Sequence, residues 1–214
     1  MSPARFITFE GGEAVGKSTQ IERLAAKLRE RGGEVLVTRE PGGTPLGEQI
    51  RHLLKHAPEG RDMNPKAELL LFLASRAELV RKVIGPALDR GAWVLCDRFH
   101  DSTTVYQGAG RGLPHEIVDR LNAFAIGARL PGLTLVLDLE VEHARQRMVE
   151  RAGNIAAVAD RMEEQPADFF ERVRHGYAQL ARTHPERVKI ISAHGNVDET
   201  AGSIWGQVAK TFAL

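Results

Sequence analysis

The stretch Gly11-Gly12-Glu13-Ala14-Val15-Gly16-Lys17-Ser18 constrains this chain more than any other part of it. It follows the apolar run RFITFE, and after it Ile21, Leu24, Ala25 and Leu28 recur at helical spacing. A strand must therefore turn directly into a helix through a glycine-rich loop. In that setting the pattern GxxxxGK[ST] is a phosphate cradle. Backbone N–H groups curl around phosphates, the helix N-terminus adds positive potential, Lys17 reaches the outer phosphates, and the Ser18 hydroxyl ligates magnesium. The loop through Thr19 is expected to hold a nucleoside triphosphate. The bland alternative, a glycine-rich turn with a surface lysine, fits the strand–loop–helix setting poorly. Switches, motors, transporters and kinases all use such a loop, so it does not name a reaction.

Other apolar runs, at 35–37, 93–96, 133–137 and 188–191, join 6–9 as strands buried on both faces. Helical patterns separate them. Asn64-Pro65 reads as a cap with a first-turn proline. The segment 66–83 beyond it is apolar on most faces and is predicted to be a deeply buried helix ending near Gly85-Pro86. Further helices are predicted at 114–127, 141–151 and 166–183. A last one carries Ile204, Trp205, Val208 and Phe212 on one side. The alternation implies an α/β fold, a five-stranded parallel sheet flanked by helices. With 214 residues, 43% of them hydrophobic, and no repeat or linker, a single domain over 1–214 is expected. The stretch 151–160, RAGNIAAVAD, lacks a period and is flanked by Arg145, Arg147 and Arg161, which predicts a mobile flap over about 147–161.

The 29 basic and 28 acidic residues nearly cancel, which argues against a nucleic-acid or anionic-membrane partner. Phosphate must be held by local clusters. Cys96 has no partner cysteine and closes an apolar run, as a buried thiol in a reducing compartment would. No signal-type or transit-type start is visible, and no apolar run approaches the ~20 residues needed to span a bilayer. A soluble cytoplasmic protein is expected.

A second group of anion sites narrows the chemistry. Thr38-Arg39-Glu40-Pro41-Gly42-Gly43-Thr44 follows the second strand, at the edge where open parallel sheets bind ligands. Arg39 there either grips a phosphate through two parallel N–H bonds or pairs with a surface acid. Asp97 and Arg98 follow the third strand: Asp97 is placed for magnesium or its waters and Arg98 for an anion, unless the two form an ion pair. Two arginines and a phosphate loop along one sheet edge suit a nucleotide on one side and a phosphate-bearing acceptor on the other. A phosphate monoester, with a second pKa near ~6, is largely dianionic at neutral pH and needs no general base. No Ser–His–Asp or Cys–His grouping stands out, and none of the eight histidines shows metal-ligand spacing along the chain.

The run Leu95-Cys96-Asp97-Arg98-Phe99-His100-Asp101-Ser102-Thr103-Thr104-Val105-Tyr106-Gln107 resembles the signature of the thymidylate kinase family. TREPGGT at 38–44, ELLLFLASRAELV at 68–80 and DRMEE at 160–164 are similar to that family in the expected order. The resemblance implies a phosphate-loop nucleoside monophosphate kinase fold and transfer of a phosphoryl group from ATP, with Mg2+, to dTMP, giving dTDP and ADP for dTTP synthesis. It also implies a homodimer joined through helices. It assigns Arg39 and Arg98 to the acceptor phosphate, Phe72 to stacking on thymine, and Arg76 and Thr103 to the base edge. Ser102 and Gln107 belong to the same substrate-facing run. Tyr106 would lie against the sugar where a ribose carries its extra hydroxyl, and Glu13 and Glu163 would approach that sugar. Read without the family, Phe72 is equally a core aromatic, Tyr106 a packing tyrosine, and the two glutamates solvated acids. Positions 13–15 are Glu, Ala and Val, so the chain resembles the bacterial type whose catalytic arginine lies in the flap. Arg151 is the first candidate and Arg147 the second, beside Lys17 and Arg98. Competing readings are a kinase for another pyrimidine nucleoside monophosphate and a non-catalytic nucleotide-binding protein. A regulatory GTPase would need a guanine-reading NKxD element, which the sequence lacks.

Overall fold

The computed structural model describes residues 3–154 and 160–214, with side chains from 3 to 150 and from 160 onward. Five parallel strands form one sheet in the order β2-β3-β1-β4-β5: β1 is Phe6–Gly11, β2 Val35–Arg39, β3 Trp93–Asp97, β4 Leu133–Asp138 and β5 Val188–Ser192. The three inner strands are buried almost throughout, because helices cover both of their faces. The expectation of burial on both faces fails at the two edges. Val37 on β2 is 42% exposed and Ile190 on β5 is 44% exposed, since an edge strand has a neighbour on one side only.

Helix α1 (Lys17–Glu30) lies on one face with α9 (Val197–Phe212), and Ile21, Leu24, Leu28, Ile204 and Val208 close over Ile7, Phe9, Leu95 and Leu135. Each of these large side chains contributes ~1.5–3 kcal/mol by leaving water. Asn196 caps α9 by accepting from the backbone of Asp198 and Glu199, while Glu199 reaches back to the Asn196 N–H. Thr8 and Thr134, on the neighbouring strands β1 and β4, hydrogen-bond to one another at 2.9 Å.

The other face carries α3 (Pro65–Leu79), α5 (His100–Thr103), α6 (His115–Ile126) and α8 (Ala167–Thr183). Helix α3 starts as predicted, with the Asn64 side chain accepting from Lys66 N–H at 2.8 Å. It does not stop at Gly85-Pro86. A π-helical turn at Val80–Ile84 leads directly into α4 (Gly85–Asp89), so Pro86 sits in a first turn, where its missing N–H is no loss. Nor is α3 buried all round, as Leu70 is 57% exposed. Besides the short 3-10 turn at Pro58–Gly60, two longer helical segments escaped the sequence reading. One is α2 (Pro45–Lys55), capped by Thr44, whose Oγ1 accepts from Gly47 N–H at 3.0 Å. The other is α5 with the π-helical stretch Thr104–Gly110 that prolongs it, a small-residue segment without apolar period. Helix α7 (Val141–Asn154) runs beyond its predicted end at 151 into the segment read as a flap, and 155–159 of that flap lie outside the described residues.

Candidate active site

The carboxyl ends of β1, β2 and β3 open into one cleft of about 580 Å³. Strand β1 ends at Gly11, at φ 122°, where an added Cβ would lie 2.3 Å from the Leu137 carbonyl oxygen. Only glycine lets the loop leave the sheet so close to β4. The loop re-enters a helix at Gly16, φ 92°, immediately before Lys17 opens α1. Lys17 Nζ donates to the Gly12 carbonyl at 2.5 Å, folded into the cradle. Burial, helped by the nearby Arg98 charge, pulls the Lys17 pKa below its usual value. An anionic ligand would reverse that pull. Ser18 and Thr19 are exposed, and with Ala14, Val15 and Gly16 they line the cleft.

Sheet register puts Asp97 beside both Phe9 and Arg39, so the ends of three strands meet. Arg98 follows at φ 66°, the left-handed region that a side chain rarely occupies, with its N–H held by the Phe9 carbonyl at 2.9 Å. That turn swings its guanidinium over the phosphate loop. Nη1 donates to the Gly11 carbonyl at 2.9 Å and to Ser102 Oγ at 3.2 Å, Nη2 to Glu13 Oε1 at 2.6 Å, and the group lies 5.0 Å from the Tyr106 ring centre. Burial opposes its charge, but Glu13 and the surrounding oxygens hold the Arg98 pKa well above the ordinary arginine value. It stays a cation.

Behind Arg98 lies a residue the sequence reading missed. Glu10 is fully buried at the end of β1, its Oε1 accepting from Phe99 N–H at 2.8 Å and its Oε2 from Ser102 Oγ at 2.5 Å and Tyr177 hydroxyl at 2.8 Å. Burial, then repulsion from Asp101, raises its pKa to about 7. It looked like one more residue of an apolar strand, and only the bonds from a distant helix reveal its part in shaping the Arg98-Phe99 turn. Arg39, half exposed, donates from Nη2 to both carboxylate oxygens of Glu48 at 3.0 Å. It therefore makes the surface pair named as its alternative, while also lining the cleft.

Phe72, Arg76, Thr103, Tyr106 and Gln107 line the far end. Arg76, which the resemblance assigns to the base edge, already has partners within the protein: its Nε donates to Glu40 Oε2 at 2.8 Å, Nη1 to Asn122 Oδ1 at 2.8 Å, and Nη2 to the Phe99 carbonyl at 3.1 Å and Thr103 Oγ1 at 2.9 Å. The protein itself meets most of its donors, and Thr103 Oγ1 accepts from Arg76 while keeping its own O–H as a donor. Gln107 likewise donates to the buried Glu68 at 2.8 Å. Tyr106 differs: its buried hydroxyl has no hydrogen-bond partner among the described residues. Burial pushes that phenol's pKa up, so it remains neutral.

The third wall comes from α7 and the stretch after residue 160. Arg147 and Glu163 line the cleft, and Arg147 Nη2 donates to the Ala193 carbonyl at 3.0 Å. The side chain of Arg151 lies outside the described residues. Arg51 and Lys55, one turn apart on α2, also line the cleft, with Lys55 bound to Asp160 at 2.6 Å. Their helical spacing was the available signal.

A magnesium ion is tested by the oxygens present. Asp97 Oδ1 is buried without a hydrogen-bond partner among the described residues, and the exposed Ser18 lines the same cleft. These oxygens suit a hard cation.

The sequence model of the family described as thymidylate kinase matches residues 9–204. The chain belongs to the thymidylate kinase family. It is 47% identical over 212 residues to a thymidylate kinase of Syntrophotalea carbinolica, covering 98% of this chain and 97% of that one. It is 50% identical over 199 residues to a thymidylate kinase of Desulfosudis oleivorans, covering 92% of each. Among solved structures, the thymidylate kinase of Ehrlichia chaffeensis superimposes with a TM-score of 0.75 at 32% identity, covering 95% of this chain and 97% of that one. The phosphate-loop kinase fold that the resemblance implied is thus the family's fold.

Proposed function

We infer that this chain transfers the terminal phosphoryl group of ATP to dTMP, giving dTDP and ADP. The observation that carries this reading is the single cleft shared by the Lys17–Ser18 end of the phosphate loop and the Arg39, Phe72, Arg98 and Tyr106 group. ATP phosphates would lie in the cradle of 11–19, with Lys17 on their outer oxygens. The acceptor phosphate, a nucleophile without deprotonation, would be held by Arg98 and Arg39. Arg39 would exchange Glu48 for it. Phe72 would stack on the pyrimidine, with Arg76 and Thr103 shaping the pocket as a fixed pair and Gln107 beside them. Tyr106, whose ring backs Arg98, would exclude a ribose 2′-hydroxyl. Ser102, Glu13 and Glu163 complete the wall around the acceptor.

Catalysis here is alignment and charge neutralisation. Arg147, and Arg151 further along the same helix, are the candidates for stabilising the transferring phosphoryl group. Mg2+ held by Ser18 and Asp97, when bound with ATP, would supply further neutralisation. The buried thiol of Cys96 supports a reducing cytoplasmic setting, and among the described residues no helix is long and apolar enough to cross a membrane. A homodimer is supported by α2, α3 and α6, which leave Leu53, Leu70, Ile117 and Phe124 exposed, the last at 88%.

A coupled ADP-release assay comparing dTMP, dUMP, dCMP and UMP under identical conditions tests the reading. dTMP is expected to be preferred and dUMP to be turned over weakly, because one methyl group is worth only ~1–3 kcal/mol in a pocket. Absence of ADP release above background with dTMP would favour a non-catalytic nucleotide binder.

A further inference from the structure

Outside the cleft, the fold assembles a group of side chains that the phosphoryl-transfer reading does not use. Glu140 sits in the turn between β4 and α7, His143 in the first turn of α7, and His194 in the turn between β5 and α9. Spacing along the chain gave no histidine set of metal-ligand type, because these residues are distant in sequence. Pairing of β4 with β5 brings them together, as Ala193 N–H bonds to the Asp138 carbonyl at 2.8 Å and continues the ladder into both turns.

Their donor atoms converge. His194 Nε2 lies 2.5 Å and His143 Nδ1 3.3 Å from the same oxygen, Glu140 Oε2, and one atom from each residue lies within 4.8 Å of the others. The two rings are 5.6 Å apart and perpendicular. The other carboxylate oxygen, Oε1, faces Arg174 Nη2 at 3.5 Å, and Arg174 is itself tied to Asp138 at 2.8 Å. The carboxylate is therefore oriented from behind, with one oxygen left between two imidazoles.

We propose that Glu140, His143 and His194 form a second divalent-cation site, of the zinc class, that joins the root of α7 to the β5–α9 turn. Zinc prefers imidazole nitrogen and carboxylate oxygen in a tetrahedron at ~2.0–2.2 Å, which sets donor separations of roughly 3.3–3.5 Å. The His143–Glu140 distance meets this, and the short His194–Glu140 contact needs to open by about 1 Å. Both histidines are exposed and free to turn. Three protein donors leave a fourth position for water. This chemistry differs from that of Ser18 and Asp97, whose oxygen-only set suits magnesium. The site also adjoins the cleft, since the Ala193 carbonyl next to His194 receives Arg147, one helical turn beyond His143.

The test is titration of untagged, chelator-treated full-length protein with Zn2+ against a chromophoric chelator, together with Co2+ absorption as a report on geometry. One equivalent is expected to bind, with the intense visible bands of four-coordinate cobalt. His143→Ala and His194→Ala should each weaken zinc binding by about tenfold or more, and Asp97→Asn should leave it unchanged. Circular dichroism confirms that the variants, altered at exposed positions, remain folded. Absence of saturable binding, or undiminished binding in both histidine variants, overturns the proposal. Loss of zinc in Asp97→Asn alone also overturns it, by moving the ion to the nucleotide site.

Discussion

Replacing Arg98 by alanine tests the site most directly. The guanidinium lines the cleft from a backbone at φ 66°, packed 5.0 Å from Tyr106, bonded to the Gly11 carbonyl and Ser102 and paired with Glu13 at 2.6 Å, a partner that the acceptor phosphate would displace. A phosphate received by that fork gains two charge-assisted bonds, each worth ~1.5–3 kcal/mol. Water entering the open cleft recovers part of this, leaving a net loss of about 3 kcal/mol and a fall in kcat/KM for dTMP of ~100-fold or more. Lysine keeps the charge without the fork and should lose about tenfold. The measurement is coupled ADP release with dTMP varied at saturating ATP, alongside thermal unfolding of each variant. A folded Arg98→Ala protein whose kcat/KM lies within about tenfold of the parent would refute the reasoning, since the fork could not then be holding the acceptor.

Arg76→Met should destabilise the fold by ~3–5 kcal/mol in urea titrations, because it strands the buried Glu40, whose remaining oxygen has no partner among the described residues. A loss under ~1 kcal/mol would mean that the network is dispensable. Tyr106→Ala should raise UMP turnover relative to dUMP, and an unchanged ratio would place sugar selection elsewhere. Arg147→Ala should lower kcat more than it raises KM for ATP, whereas the opposite pattern indicates ground-state binding. Asp101 gives a pH test. Burial would raise its pKa, but His100, with the bonds from Arg187 and Thr134, holds it at about 2, below the ordinary 3.8. Its stabilisation is present above pH 3.8 and lost as pH falls toward 2. Asp101→Asn should remove about 2 kcal/mol of acid-dependent stability between those limits. A parent and variant with identical pH slopes would rule this out.

The elements legible in the sequence were those whose physics is local. The phosphate loop needs glycine where an L side chain would strike Leu137 or adopt a positive φ, and it needs Lys17 and Ser18 at a helix start. Inner strands reveal themselves as short, mainly apolar runs, and α9 by its four-residue stripe. Helix α2 was missed although Thr44-Pro45 announces it, because the resemblance of 38–44 drew that segment into a loop. The segment 100–110 carries mostly polar and small residues, since it faces a cleft and a buried network and sends only Val105 and Tyr106 into a core.

What the sequence by itself determined, then, is the nucleotide cradle, the strand–helix order and the family. Tertiary structure alone decided which partners the charged residues find. It gave Arg76 to Glu40 and Asn122, set Glu10 behind Arg98 with Tyr177 from a remote helix, and brought His143 to His194. The reason is that backbone form depends on neighbours along the chain, whereas the energy of a charge depends on what surrounds it in space.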